Sequence, residues 1–175
     1  MGQGDLGDFF AEQYGEYLPR VLNYVRLRVD SEDLAQELTA QTFERALSRL
    51  HTLRDWGAFG GWLFRIARSI VAGHYRRRRP MVSLDDVGEQ AVVETGAEPG
   101  PEAQVVASQE VQALKGALRL LSEREQEIIR LRFVAGLTNR AIAKLVGLRE
   151  GNVAVILFRA LRKLRKTLGA AGYGV

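Results

Sequence analysis

Residues 138–165, TNRAIAKLVGLREGNVAVILFRALRKLR, carry polar and cationic side chains at spacings that suit a DNA groove. The pattern is a short helix, a glycine turn at Gly147 and a longer helix. Ala141, Ile142 and Leu145 are spaced to pack under Leu148, Val153 and Leu157. A helix-turn-helix of this kind offers the N-terminal residues of its second helix to the major groove. Arg149, Glu150, Asn152 and Ala154 occupy that end. Asparagine pairs bidentately with adenine, and alanine permits close approach to a thymine methyl. Arg140, Lys144, Arg159, Arg162 and Lys163 are placed to hold phosphates, which position a protein without reading sequence.

A second cationic stretch is WLFRIARSIVAGHYRRRR at 62–79. On a helical period Arg65, Arg68, Ser69, Ala72, Arg76 and Arg79 share one broad face, opposite Leu63, Ile66 and Ile70. Trp62, His74 and Tyr75 lie nearby, and aromatics beside arginine suit unstacked bases as well as backbone. A third feature is acidic: Glu37, Gln41 and Glu44 lie at i, i+4 and i+7, a face able to dock a basic partner.

Nothing points to bond chemistry. There are no cysteines, and the two histidines, His51 and His74, lie far apart without an acidic ligand pattern, so neither a thiolate nor a histidine metal site is expected. Asp85 and Asp86 stand in a segment with nothing to fix their geometry. No phosphate-loop or dinucleotide-binding glycine motif occurs. The expectation is a protein that is no enzyme, with no cofactor, no metal and no small-molecule substrate. No apolar run approaches the ~20 residues of a membrane span, and Met1–Asp8 lacks a signal peptide's order, so a cytoplasmic protein is expected.

These features must be positioned by helices, because the apolar spacing is helical throughout and never alternates for long. Pro19 is expected to break or kink a first segment that begins at Phe9, Phe10 and Tyr14. Ser31 reads as the N-cap of a second helix, with Leu34, Leu38, Phe43, Leu47 and Leu50 as its buried stripe. Residues 51–58 read as a loop before a helix from Phe59 to Arg78. Ser122 and Glu125 form a capping box that starts another helix, packed through Ile128, Ile129, Leu131 and Phe133.

Charge divides the chain. Residues 1–60 carry net −4, 61–80 net +6, 81–110 net −7 and 111–175 net +9. Two basic blocks flanking an acidic one suggest a polyanion partner. Residues 80–101 hold three of the four prolines and few large apolar side chains. The expected architecture is all-α: a helical domain over 5–79, an acidic flexible linker over 80–102, and a helix-turn-helix domain over 103–170.

With these pieces in order, the chain resembles the extracytoplasmic-function group of bacterial RNA polymerase sigma factors. Residues 62–79 are similar to the group's minus-10 recognition helix, residues 121–166 to its minus-35-reading domain, and ELTAQTFERAL at 37–47 to its polymerase-docking helix. The resemblance implies promoter-specific initiation on core RNA polymerase. Glu37, Leu38, Gln41 and Glu44 would grip the polymerase. The loop 51–58 and the 59–79 helix would read and help open minus-10 DNA, through Trp62, Arg65, Arg68, Ser69, Tyr75 and Arg76. Thr138, Asn139, Arg140, Arg149, Glu150, Asn152, Ala154 and Arg159 would contact the minus-35 duplex. It further implies an anti-sigma factor as regulator, and that the acidic linker threads the polymerase interior. Some positions depart from the group's pattern: Ser69 stands where Asn is common, Gly73 where Asp is common, Arg149 where a Ser cap is usual, and Ala154, Val155 and Ile156 where polar or basic residues are usual. Residues 121–165 also resemble LuxR-type regulators, in which case residues 1–79 would form a sensor or dimerisation module that ignores polymerase.

Overall fold

In a computed structural model the described residues are 3–78, 116–170 and 172. They fall into two compact units, one on either side of the undescribed segment. Every described element is helical. The expected linker at 80–102, the start of the second domain at 103–115, and Arg79 lie outside the described residues.

The first unit contains α1 (Gln3–Arg26), α2 (Glu32–Arg49) and α3 (Phe59–Arg78). Pro19 does not break α1, which runs through it. Pro19 and Gly15, whose carbonyl loses its partner amide, are both exposed, so that carbonyl faces water. Further along, Val21, Tyr24 and Val25 are fully buried and hold the helix onto its neighbours. The Ser31 hydroxyl accepts the Leu34 amide at 3.1 Å and starts α2 as expected. The Arg26 guanidinium donates to Glu32 at 2.8 Å across the α1–α2 turn, which draws the Glu32 carboxyl below its usual range.

Leu38, Phe43 and Leu50 face the core of this unit, but Leu47 is 56% exposed. The stripe on α2 is therefore narrower than the sequence pattern suggests, because Ala35, Thr42 and Ala46 take the inner positions. Residues 51–58 are not plain loop: Leu50–Thr52 and Trp56–Ala58 are 3-10 turns. The Asp55 carboxylate accepts the Gly57 amide at 3.0 Å and caps the second turn.

The described part of the second unit begins with helical residues 116–119 and continues with α4 (Glu123–Ile129), α5 (Asn139–Val146) and α6 (Glu150–Ala170). The capping box at Ser122 and Glu125 is formed in both directions. After α4 the backbone widens into a π turn over Arg130–Val134, where the Ala135 amide reaches the Arg130 carbonyl and the Leu137 amide reaches Leu131. Gly136, at φ 69°, closes the turn. Arg132 donates to the Leu137 carbonyl at 2.9 Å and pins its exit. This widening turns Leu131, Ala135 and Leu137 inward and leaves Phe133 60% exposed, so Phe133 is not a core residue.

Gly147 sits in the left-handed region at φ 71° and ends α5. The Leu148 amide bonds back to Ala143. Ile142, Val153 and Leu157 are buried where α5 packs on α6, while Ala141, Leu145 and Leu148 are half-buried around them.

Candidate nucleic-acid interfaces

In the first unit the end of α2, the Leu50–Thr52 turn and α3 enclose an open cleft of about 590 Å³. Its walls are Arg45, Arg49, His51, Thr52, Trp62, Arg65, Ile66 and Ser69. No acidic residue lines it. Three guanidinium groups around one indole and three smaller polar side chains favour a ligand with both an aromatic ring and anionic oxygens.

The cleft takes its shape from aromatic packing behind it. Phe59 begins α3 and is buried; its ring meets Phe9 at 5.5 Å, Tyr17 at 5.4 Å and Trp62 at 5.8 Å between centroids. Trp56 stands edge-on to Phe9 at 4.3 Å. Gly60 allows α3 to approach α1: a Cβ there would lie 2.7 Å from the Tyr17 hydroxyl. The Tyr17 ring is fixed by Phe59 on one side and by Arg20, 5.0 Å from its centroid. Burial pushes the Tyr17 phenol above its usual range.

Of the residues expected at minus-10 DNA, Trp62, Arg65 and Ser69 line this cleft; Arg68, the residue before Ser69, is not among its walls, and Arg76 lies two turns further along α3. Tyr75 points elsewhere. Its hydroxyl donates to the Arg28 carbonyl at 2.6 Å, tying α3 to the end of α1. His51 and Thr52 open the 51–58 loop expected at minus-10 DNA, whereas Arg45 and Arg49 carry no sequence signal for that site. Arg45 and Arg49 are one helical turn apart, but only the packing of α3 against α2 shows that they share a cleft with Trp62.

On α2, Glu37 and Glu44 are exposed and Gln41 is half-buried, with the Gln41 amide donating to Glu37 at 3.0 Å. Leu38, grouped with these as a docking residue, is 1% exposed. The steps of four and then three residues that set Glu37, Gln41 and Glu44 on one face turn Leu38 inward, so it supports that face from beneath.

In the second unit, Arg149, Glu150, Asn152, Ala154 and Arg159 are exposed on or beside α6, and Arg140 is exposed on α5. The Thr138 hydroxyl accepts the Ala141 amide at 3.2 Å as the cap of α5. Asn139 is half-buried, with its side-chain oxygen out of contact with water. Lys163, one of the cations expected at phosphates, instead donates from its ammonium to Glu125 at 2.7 Å. Burial pushes the Glu125 carboxyl up, but Lys163 and two hydrogen bonds from Ser122 outweigh this and hold it below its usual range. Among the described residues no cluster of potential metal ligands occurs and no helix is long and apolar enough to cross a membrane.

Residues 13–80 match the family described as Sigma-70 region 2, and residues 117–166 match Sigma-70, region 4. The chain is 35% identical over 167 residues to the ECF RNA polymerase sigma factor BldN of Streptomyces coelicolor, covering 95% of this chain and 62% of that protein. It is 31% identical over 168 residues to the ECF RNA polymerase sigma factor SigD of Mycobacterium tuberculosis, covering 88% of this chain and 74% of that one. The fold is similar to that of the sigma factor RpoE in its complex with the anti-sigma factor NepR from Bartonella quintana. That likeness has a TM-score of 0.66 at 21% identity, over 91% of this chain and 96% of the other.

Proposed function

Because the chain belongs to the extracytoplasmic-function group of RNA polymerase sigma factors, we propose that it binds core RNA polymerase and directs initiation by reading two promoter elements. One observation carries this reading: a cationic, tryptophan-walled cleft and a helix-turn-helix occur in this order on one chain. The cleft suits unstacked bases of an opened strand, with Trp62 as stacking surface and Arg45, Arg49 and Arg65 on the phosphates. The N-terminal end of α6 suits a closed duplex, with Arg149 and Asn152 at base edges and Arg140 and Arg159 on phosphates.

Glu37, Gln41 and Glu44 form the polymerase-docking face. The chain itself makes and breaks no bond; RNA synthesis belongs to the polymerase, and the work is done in the cytoplasm. An anti-sigma factor is the expected regulator, acting by covering these faces. The match of residues 13–80 to Sigma-70 region 2 disfavours the LuxR-type alternative, which needs a sensor or dimerisation module there.

The test is run-off transcription with purified core polymerase on a library of genomic fragments. Discrete transcripts that depend on the added chain are expected, and Glu37→Ala with Gln41→Ala reduces core binding while duplex binding persists. Absence of any chain-dependent transcript, with core and chain both intact, refutes the proposal.

A further inference from the structure

Gly151 and Val155 on the outer face of α6 have no explanation inside the protein, and Phe158, 68% exposed, extends the apolar surface beside them. Val153, Leu157, Ala160 and Leu164 are buried and define the inner face. Gly151, Val155, Arg159 and Arg162 fall at i, i+4, i+8 and i+11 on the opposite one. Val155 is 47% exposed, an apolar and β-branched side chain among arginines. Gly151 is helical, and a Cβ added there would meet nothing within 4 Å. Glycine is a poor helix former, and neither backbone conformation nor packing requires it here. Both residues are accounted for by what lies outside the helix.

This argument rests on the reading that the N-terminal half of α6 enters the major groove. The groove floor is polar except at thymine, whose C5 methyl is the one apolar group it presents. We propose that Val155 reads a thymine methyl in the minus-35 element and that Gly151 lets the helix backbone come close enough for that contact. Asn152, exposed three residues before Val155, faces an adenine in the same step. Arg159 and Arg162, on the next turns of the same face, hold the flanking phosphates. Val155 therefore adds a methyl contact to whatever hydrogen bonds the same base step offers.

The experiment uses the full chain and the tightest duplex it selects from a random pool. Each thymine is replaced in turn by deoxyuridine, which removes only the methyl. One replacement is expected to weaken binding about three- to fivefold, the worth of one buried methyl group. Val155→Ser erases that sensitivity at that position alone. Gly151→Ala leaves the melting temperature unchanged or raised and weakens the same duplex several-fold. A selected consensus in which no thymine is methyl-sensitive overturns the inference while sparing groove reading, as does Val155→Ser with the deoxyuridine penalty intact. Failure to select any consensus sinks groove reading itself. If Val155→Ser lowers affinity for core polymerase and leaves methyl sensitivity unchanged, the valine is a protein contact and the inference falls.

Discussion

In the first unit the cationic side chains surround a concave cleft; in the second they stand along a convex helix. Trp62 is held from behind by Phe59, which is itself held by Phe9 and Tyr17. Arg149, Asn152 and Val155 have no such support and project from an exposed helix end. The contrast follows from what each must read. An unstacked base has a face to be sandwiched, so its reader needs walls and an aromatic surface. A paired base offers only its edge, so its reader must be narrow enough to enter a groove.

The sharpest way to break this comparison is to exchange the losses. Trp62→Ala is expected to cost about 1–3 kcal/mol per stacked base, roughly 5- to 150-fold in promoter opening. Permanganate reactivity of the opened strand measures it. Binding to an upstream duplex should stay within about twofold, because Trp62 and the helix-turn-helix belong to different compact units. Arg149→Ala with Asn152→Ala should show the mirror image, with duplex affinity falling by about 1–3 kcal/mol per lost base contact. A Trp62→Ala chain that loses duplex binding equally would erase the division of labour.

A smaller effect probes the support behind the cleft. Gly60→Ala gains about 1 kcal/mol of helix propensity but forces a Cβ into the Tyr17 ring, an overpacking cost of about 1–3 kcal/mol. A net loss of stability is expected. Combined with Tyr17→Leu, which vacates the space, the same substitution should become neutral or stabilising. Denaturant melts of the four chains give the coupling, expected at about 1–2 kcal/mol; additive values would show that the ring yields freely.

The smallest effect belongs to the second unit. Glu125→Ala removes a reciprocal cap and an ion pair, at about 1 kcal/mol. The folded state holds this carboxyl below its ordinary value of 4.5. Its contribution is therefore present above about pH 4.5 and fades as the pH falls through the lowered folded value. Thermal melts from pH 7 to pH 3 should show the parent's advantage over Glu125→Ala shrinking in that range. An advantage that grows on acidification would mean the carboxyl is not the stabilising form.

The helices were largely legible because their starts are local chemistry. Ser31 and Ser122 cap where their side chains suggested, and Gly147 ends α5 where the turn demanded a left-handed residue. What escaped the sequence depends on the partner an element meets in space. Leu47 and Phe133 are apolar at plausible core positions, yet neighbouring small residues and a widened turn leave them outside. Lys163 resembles every other cation of its helix until Glu125, 38 residues away, claims it. The cleft shows the same limit: Trp62 and Arg65 were legible on one helix, whereas Arg45, Arg49 and His51 join them only through the docking of α2 on α3.

The near-contact between Tyr17 and Gly60 also bears on how the molecule can change over generations. With so little room between ring and backbone, position 60 cannot gain a side chain while the tyrosine stays in place. Descendants that acquire a side chain at 60 should carry a smaller residue at 17. Lineages that keep the tyrosine should keep the glycine, a paired inheritance written by one hydroxyl's reach.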